Sequence, residues 1–258
     1  MTRIRFYGTP VDLLSMEQTL ALAKGAMETG GRVRHTALNV AKLVKLRSDT
    51  ELAQDVRESD IVGIDGMGIV WGLALFGVRG AERVSGVDLM LELMALCARE
   101  GRRPYILGAR QEQLDEAMRV ARERFAKLEF AGSRNGYFTE AEEAGIVSDI
   151  RSSGADCLFV AMPTPQKERF LHKHGPALGT PFIMGVGGSV DVLAGHVSRA
   201  PGWMQRAGLE WLHRLLQEPR KMLGRYVRTN AAFAGMVVRS LLTRRNPVEQ
   251  EPAAVPSS

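Results

Sequence analysis

The sequence predicts an α/β protein with a mainly parallel sheet covered by helices on both faces. Three observations carry this. Short apolar segments alternate with helix-like segments along most of the chain. Glycine or proline turns follow most of the apolar segments. The 258 residues, 45% hydrophobic and 24% charged, are ordinary for a globular protein with a sizeable core. Alternating β and α units are the signature of parallel strands joined by crossover helices.

The elements follow in order. Ser15 and Gln18 form a capping box, which opens a helix running to about Thr29. Gly25 weakens its last turn, and Gly30-Gly31 ends it. Residues 33–38 read as a strand, followed by a helix with Leu43, Val44 and Leu46 on its inner side. Residues 61–64 form a strand, then the turn Asp65-Gly66-Met67-Gly68 and an apolar helix. Residues 105–107 form a strand, then Gly108 and a charged helix from about Gln111 to Phe125. Residues 157–160 form a strand, then Pro163-Thr164-Pro165 and a helix carrying Glu168 and Phe170. Residues 182–186 form the last strand, followed by Gly187-Gly188. We divide the chain into an α/β core over 1–198, a basic helical appendage over 199–246 and a polar, proline-rich tail over 247–258, expected to be disordered.

Composition excludes several classes. Cys97 and Cys157 cannot build a disulfide framework and lack metal-ligand spacing, which makes a reduced cytoplasmic setting the default. The N-terminus does not read as a signal peptide, and no apolar run reaches the length of a membrane span. The net charge of +5 suits a polyanion: nucleic acid, an anionic membrane face or a diphosphate substrate. No nucleic-acid recognition motif accompanies the charge.

The unusual polar residues gather at one place. Thr36, Asn39, Asp65, Gly108, Gln166 and Gly187 all fall near or just beyond the carboxyl end of an expected strand. In open α/β sheets ligands bind at that edge. From position alone Asp65 is first a helix N-cap. Its functional reading is a general base aimed into the cleft, worth about 10²–10⁴ in rate. Gly187-Gly188 could bring backbone N–H groups to a phosphate or be a plain turn. Gln166 could bind sugar hydroxyls or uracil, or cap its own helix. Thr36 and Asn39 could contact an acceptor or cap the next helix, and Asp191 a donor hydroxyl or a local cap. Arg83 could orient a sugar or pair with Asp88. There is no P-loop and no Asp-x-Asp pair, so the charge of a departing diphosphate would fall to cations and dipoles of the protein.

The C-terminal third supplies those cations. Arg199, Arg206, Arg214, Arg220, Lys221, Arg225 and Arg228 alternate with Trp203, Trp211, Leu215, Leu216, Leu223 and Tyr226. Pro219 splits the stretch into two helices. Such a pattern is either an amphipathic helix with a solvated face or a basic surface that meets anionic lipid. Residues 233–242 are apolar but too short to span a bilayer, and could lie in its interface.

Together the motifs resemble a known family. The order Thr36-x-x-Asn39, Asp65-Gly66-Met67-Gly68, Arg83-x-x-Gly86-x-Asp88-Leu89, Leu107-Gly108, Asn135-Gly136-Tyr137-Phe138, Pro163-x-Pro165-Gln166-Lys167-Glu168, Gly187-Gly188-x-x-Asp191-x-x-Ala194-Gly195, Arg199-Ala200-Pro201 and Gly208-x-Glu210-Trp211-x-x-Arg214-x-x-x-Glu218-Pro219 is similar to that of the WecG/TagA/CpsF glycosyltransferases, family 26. The resemblance covers about 36–228. It implies a Rossmann-like, mainly parallel sheet flanked by helices, with a C-terminal helical, membrane-proximal appendage. It implies an inverting transferase, without a metal or other cofactor, that moves N-acetylmannosamine, its uronic acid or a related sugar. The donor would be a UDP-sugar and the acceptor an undecaprenyl-diphosphate-linked saccharide, in cell-wall or exopolysaccharide synthesis. The enzyme would sit peripherally on the inner face of the plasma membrane. The resemblance points to Asp65 as the base, to Thr36, Arg83 and Gln166 in the pocket, and to Arg214, Arg220 and Arg225 on a diphosphate. With Asn39, Gly108, Gly187, Gly188 and Asp191 these make up the candidate site.

Two departures bear on the pocket wall: Ser189-Val190 stands where Gly-Phe or Ala-Phe is expected, and Thr164 where a smaller residue is common. Two other classes remain: a Rossmann-type oxidoreductase, which would prefer NAD to UDP, and a non-catalytic scaffold of a polysaccharide assembly complex. An apolar patch under the appendage could support a homo-oligomer.

Overall fold

The computed structural model describes residues 1–251, apart from the side chains of residues 221, 222 and 225. The chain opens with an antiparallel pair, β1 (Arg3–Phe6) and β2 (Thr9–Asp12), and then α1 (Met16–Thr29). Next come β3 (Val33–Leu38), α2 (Val40–Leu46), α3 (Thr50–Arg57), β4 (Ile61–Ile64), α4 (Met67–Leu75) and α5 (Gly86–Glu100). The middle runs β5 (Pro104–Gly108), α6 (Gln111–Arg124), β6 (Gly132–Arg134), α7 (Glu143–Ser153), β7 (Cys157–Ala161) and α8 (Gln166–His174). Then follow β8 (Phe182–Gly185), α9 (Ser189–Leu193), α10 (Gly202–Arg206), α11 (Glu210–Gln217), α12 (Pro219–Leu242) and β9 (Val248–Gln250).

Six of these strands form one sheet in the order β4-β3-β8-β7-β5-β6, every pair parallel. The inner strands β7 and β8 are buried along their whole length. That is why they read as unbroken apolar runs rather than alternating ones. One face packs on α1, α5, α6 and α9, through residues such as Met27, Leu89, Leu93, Leu114 and Val190. The other packs on α7 and α8, through Ile146, Ile150, Phe170 and Leu171. Cys97 and Cys157 are buried and unpaired by any disulfide. The α1 capping box and its left-handed Gly30 terminus stand where the sequence places them.

A third apolar cluster lies at the β4 end and joins β1, β2, α2, α3 and α4. Its second sheet, in the order β2-β1-β9, escapes a local reading. β1 turns into β2 through Tyr7 and Gly8, both at positive φ. The ribbon is anchored by Asp12. Its carboxylate takes two hydrogen bonds from the Arg3 guanidinium, at 2.8 and 2.7 Å, and one from the Val62 N–H at 2.7 Å. β9 pairs antiparallel with β1 across almost the whole length of the chain. Residues 248–250 are therefore an ordered strand, where the sequence reads as a disordered tail; residues 252–258 lie outside the described residues.

Pro219 does separate two helices, and it occupies the first turn of α12. The 24 residues of α12 make a rod about 36 Å long. Its second half returns to the core. Phe233 packs edge-on against Phe6 and Tyr7, and the Tyr7 hydroxyl lies 3.2 Å from that of Ser240. Among the described residues no helix is long and apolar enough to cross a membrane.

Candidate active site

Parallel strands deliver all their exit loops to one edge. Here the loops after β3, β4, β5, β7 and β8 place Asn39, Asp65, Gly108, residues 163–167 and residues 186–191 along that edge.

Asp65 leaves β4 with its own N–H bonded to the Leu38 carbonyl of β3 at 2.9 Å. Its Oδ1 accepts the N–H of Gly86 at 2.8 Å. The carboxylate thus caps α5, twenty-one residues on, rather than the helix that follows it. α4 has Gly66 at its N-cap and so receives no side-chain cap. Half-buried at the edge, Asp65 has one oxygen fixed by a backbone donor at the positive end of a helix.

The other sequence candidates divide into two groups. Several are occupied structurally. The Thr36 hydroxyl is buried within β3, 2.8 Å from that of Ser59. Asn39 caps α2 by accepting the Lys42 N–H at 3.0 Å. Gly108 lets β5 approach β7: at φ +126°, a Cβ there would stand 2.5 Å from the Ala161 carbonyl. Arg83 does not pair with Asp88. It reaches the appendage and binds Glu210 of α11 at 2.9 Å, while Asp88 is taken by Arg199. These four charges tie the appendage to the start of α5.

The second group meets after β8. Gly187 has φ +51°, and the loop turns back over the strand end. At Gly188 the Arg214 Nη2 of α11 comes in close, 2.8 Å from where a Cβ would be. Arg214 Nε is buried without a hydrogen-bond partner. Asp191 Oδ2 comes within 3.5 Å of the same point. A small cavity lined by Arg199, Glu210, His213 and Arg214 sits where the appendage meets Val87 of α5 and Val192 of α9. A larger one, about 330 Å³, lies away from the edge, between the β1–β2 turn and α2–α3. Arg220 is exposed on the first turn of α12, and the side chain of Arg225 lies outside the described residues.

Gln166 points to solvent, and its neighbour Lys167 turns inward instead. Lys167 Nζ donates to Thr164 Oγ1 at 2.6 Å and pairs with Glu168 Oε1 at 3.0 Å. Lys42 Nζ of α2 meets the same Glu168 oxygen at 2.9 Å and the Ala37 carbonyl at 2.6 Å. Burial disfavours the Glu168 carboxylate, but the two ammoniums outweigh it and hold its pKa at about 2. Burial, then the like charge of Lys42, pull Lys167 down to about 8 against the attraction of Glu168 and Asp65. The spacing could have signalled the inward lysine. Lys167, Phe170 and Leu171 form an i, i+3, i+4 stripe, and Gln166 falls outside it.

Among the described residues no group of three or more His, Cys, Asp or Glu side chains is placed to hold a metal ion. The edge therefore combines one carboxylate anchored by a helix start, a glycine loop, and cations from α8 and α11. That set can remove a proton on one side and meet a developing anion on the other. A family model described as the WecG/TagA/CpsF family of glycosyl transferases matches residues 4–247, nearly the whole chain. The protein is thus a glycosyltransferase of cell-surface polysaccharide synthesis, a member of the WecG/TagA/CpsF family.

Proposed function

We propose that the enzyme transfers a hexose-type sugar, N-acetylmannosamine or a relative, from a UDP-sugar to an undecaprenyl-diphosphate-linked saccharide, with inversion at the anomeric carbon. One observation supports this most: the Asp65 carboxylate, pinned by Gly86 at 2.8 Å, shares an edge with the Gly187-Gly188 loop and Arg214. Asp65 takes the proton of the acceptor hydroxyl as its oxygen attacks the anomeric carbon. The bond to the nucleotide breaks on the opposite face, and UDP leaves with the bonding electrons. Arg214 and Arg220 are the appendage cations proposed to meet diphosphate oxygens.

The appendage also supports a peripheral position on the inner membrane face. Leu216, Leu223 and Val227 are exposed on α11 and α12 beside Arg220 and Arg228. Apolar side chains flanked by cations suit a surface of anionic lipid. Replacing those three by serine is expected to reduce sedimentation with phosphatidylglycerol vesicles without changing the melting temperature. Unchanged sedimentation removes the membrane from this reading.

The function itself is tested by screening UDP-sugars for UDP release with a polyprenyl-diphosphate-linked saccharide. Release that requires both substrates, with inverted product stereochemistry by NMR, is the expected result. A preference for NAD over UDP in a thermal-shift comparison, with no release from any UDP-sugar, would overturn it.

A further inference from the structure

Two ammoniums, Lys42 and Lys167, share the single carboxylate of Glu168, so this buried network holds one surplus positive charge. Buried charge without a counter-charge is costly, and an anion at its open side relieves the cost. Lys167 is the member that can reach one. Lys42 is directed at Glu168 and the Ala37 carbonyl of β3, and only about 6% of its side chain is open to solvent. Lys167 has three donors, and Thr164 and Glu168 use two of them. About 10% of its side chain is open to solvent.

Its position matters more than its charge. The Lys167 stem crosses the end of β8: its Cδ and Cε lie 3.0 Å from where a Cβ of Gly185 would be. Arg214 reaches the same exit loop from the appendage side, at Gly188. The strand end and its glycine loop are therefore bracketed by two cations from different elements, each with an unspent N–H. Asp65 is near enough for its charge to act on Lys167.

We propose that Lys167 is a substrate-binding residue whose ammonium, propped by Thr164 and Glu168, binds an oxygen of the donor diphosphate at the end of β8. This rests on the proposed UDP-sugar donor and adds to it the place of the diphosphate and a cation outside the appendage. Gln166, the exposed neighbour, has no part in the contact. A pH dependence follows, because Lys167 loses its proton near 8. The groups facing it are Lys42 from α2, Glu168 from its own helix and Asp65 after β4.

Calorimetric titration of the full chain with UDP, and separately with uridine, tests this. Lys167→Met is expected to weaken UDP about ten- to a hundredfold, the range of a lost charge-assisted hydrogen bond, and to leave uridine unchanged. Wild-type affinity for UDP should fall as pH rises from 7 to 9, while Lys167→Arg keeps its affinity across that range. UDP bound equally by wild type and Lys167→Met overturns the inference alone. A wild type that binds neither UDP nor uridine overturns the donor assignment as well. If Lys167→Met does not fold, the wild-type pH series decides: an affinity flat from 7 to 9 refutes the contact.

Discussion

Asp65→Asn is expected to fold normally, retain UDP-sugar affinity and lose about 10²–10⁴ in turnover. The substitution removes basicity and little else. The Gly86 N–H that Oδ1 now accepts can be accepted by the amide oxygen, so the start of α5 keeps its cap. Donor binding should hold, because removing a negative charge from this edge does not repel a diphosphate. Asp65→Ala is the less informative variant. It strips the cap from α5 and adds about 0.5–2 kcal/mol of destabilisation to any catalytic loss. Steady-state kinetics of Asp65→Asn, beside calorimetry with UDP, separate the roles. Near-normal turnover would remove Asp65 from the mechanism and leave it only its cap.

The second large effect is on stability in acid. His35 is buried on β3, its ring tilted 6.5 Å from that of Phe182, and both its ring nitrogens lack a hydrogen-bond partner. Burial first, and then the nearby Lys42 ammonium, lower its pKa to about 4 from an ordinary 6.5. The unfolded chain thus binds a proton at this residue between pH 6.5 and 4 that the folded chain refuses. Stability present above 6.5 is lost as pH falls through that window, by about 3 kcal/mol. Glu168 extends the loss. Its folded pKa of about 2 lies below the ordinary 4.5, so the stability it contributes above 4.5 disappears as pH falls toward 2. His35→Leu should flatten the urea midpoint between pH 6.5 and 4 and leave the lower window intact. It should also raise stability at pH 7, since two unpaired buried nitrogens are exchanged for an apolar side chain of similar size. A midpoint that falls as steeply in His35→Leu as in the wild type would assign the acid loss elsewhere.

The tertiary structure also changes how the appendage can be studied. Removing everything from Arg220 onward is the simplest test of membrane docking to build. It would also take Phe233 from the Phe6–Tyr7 cluster and β9 from the edge of β1. Loss of binding in that truncation would then report a damaged fold. Point substitutions on the exposed face of α11 and α12 avoid this.

The layered α/β core was legible in the chain because its signals are local. A strand buried on both faces must be a short apolar run, as in residues 157–161, and a parallel crossover must leave at a turn. The same locality put Asp65 and the Gly187-Gly188 loop at strand ends. What escaped depended on distance or on phase. β1, β2 and β9 have three or four residues each, and β1 pairs with β9 from the opposite end of the described chain. Arg83 reads as a partner for Asp88, five residues on, yet the helix start turns Asp88 toward Arg199 and leaves Arg83 to Glu210.

By itself the sequence determined the fold class and the family, and it put the candidate residues at one edge of the sheet, since each is written in short ordered motifs. It also marked Asp65, but as a cap for the wrong helix. Only the tertiary structure decided which atom holds that carboxylate, because the Gly86 N–H is brought to it by a helix twenty-one residues away. Only it showed that Gln166 is exposed while Lys167 turns inward to Glu168, since one residue's rotation about a helix axis, about 100°, sends the two side chains in different directions.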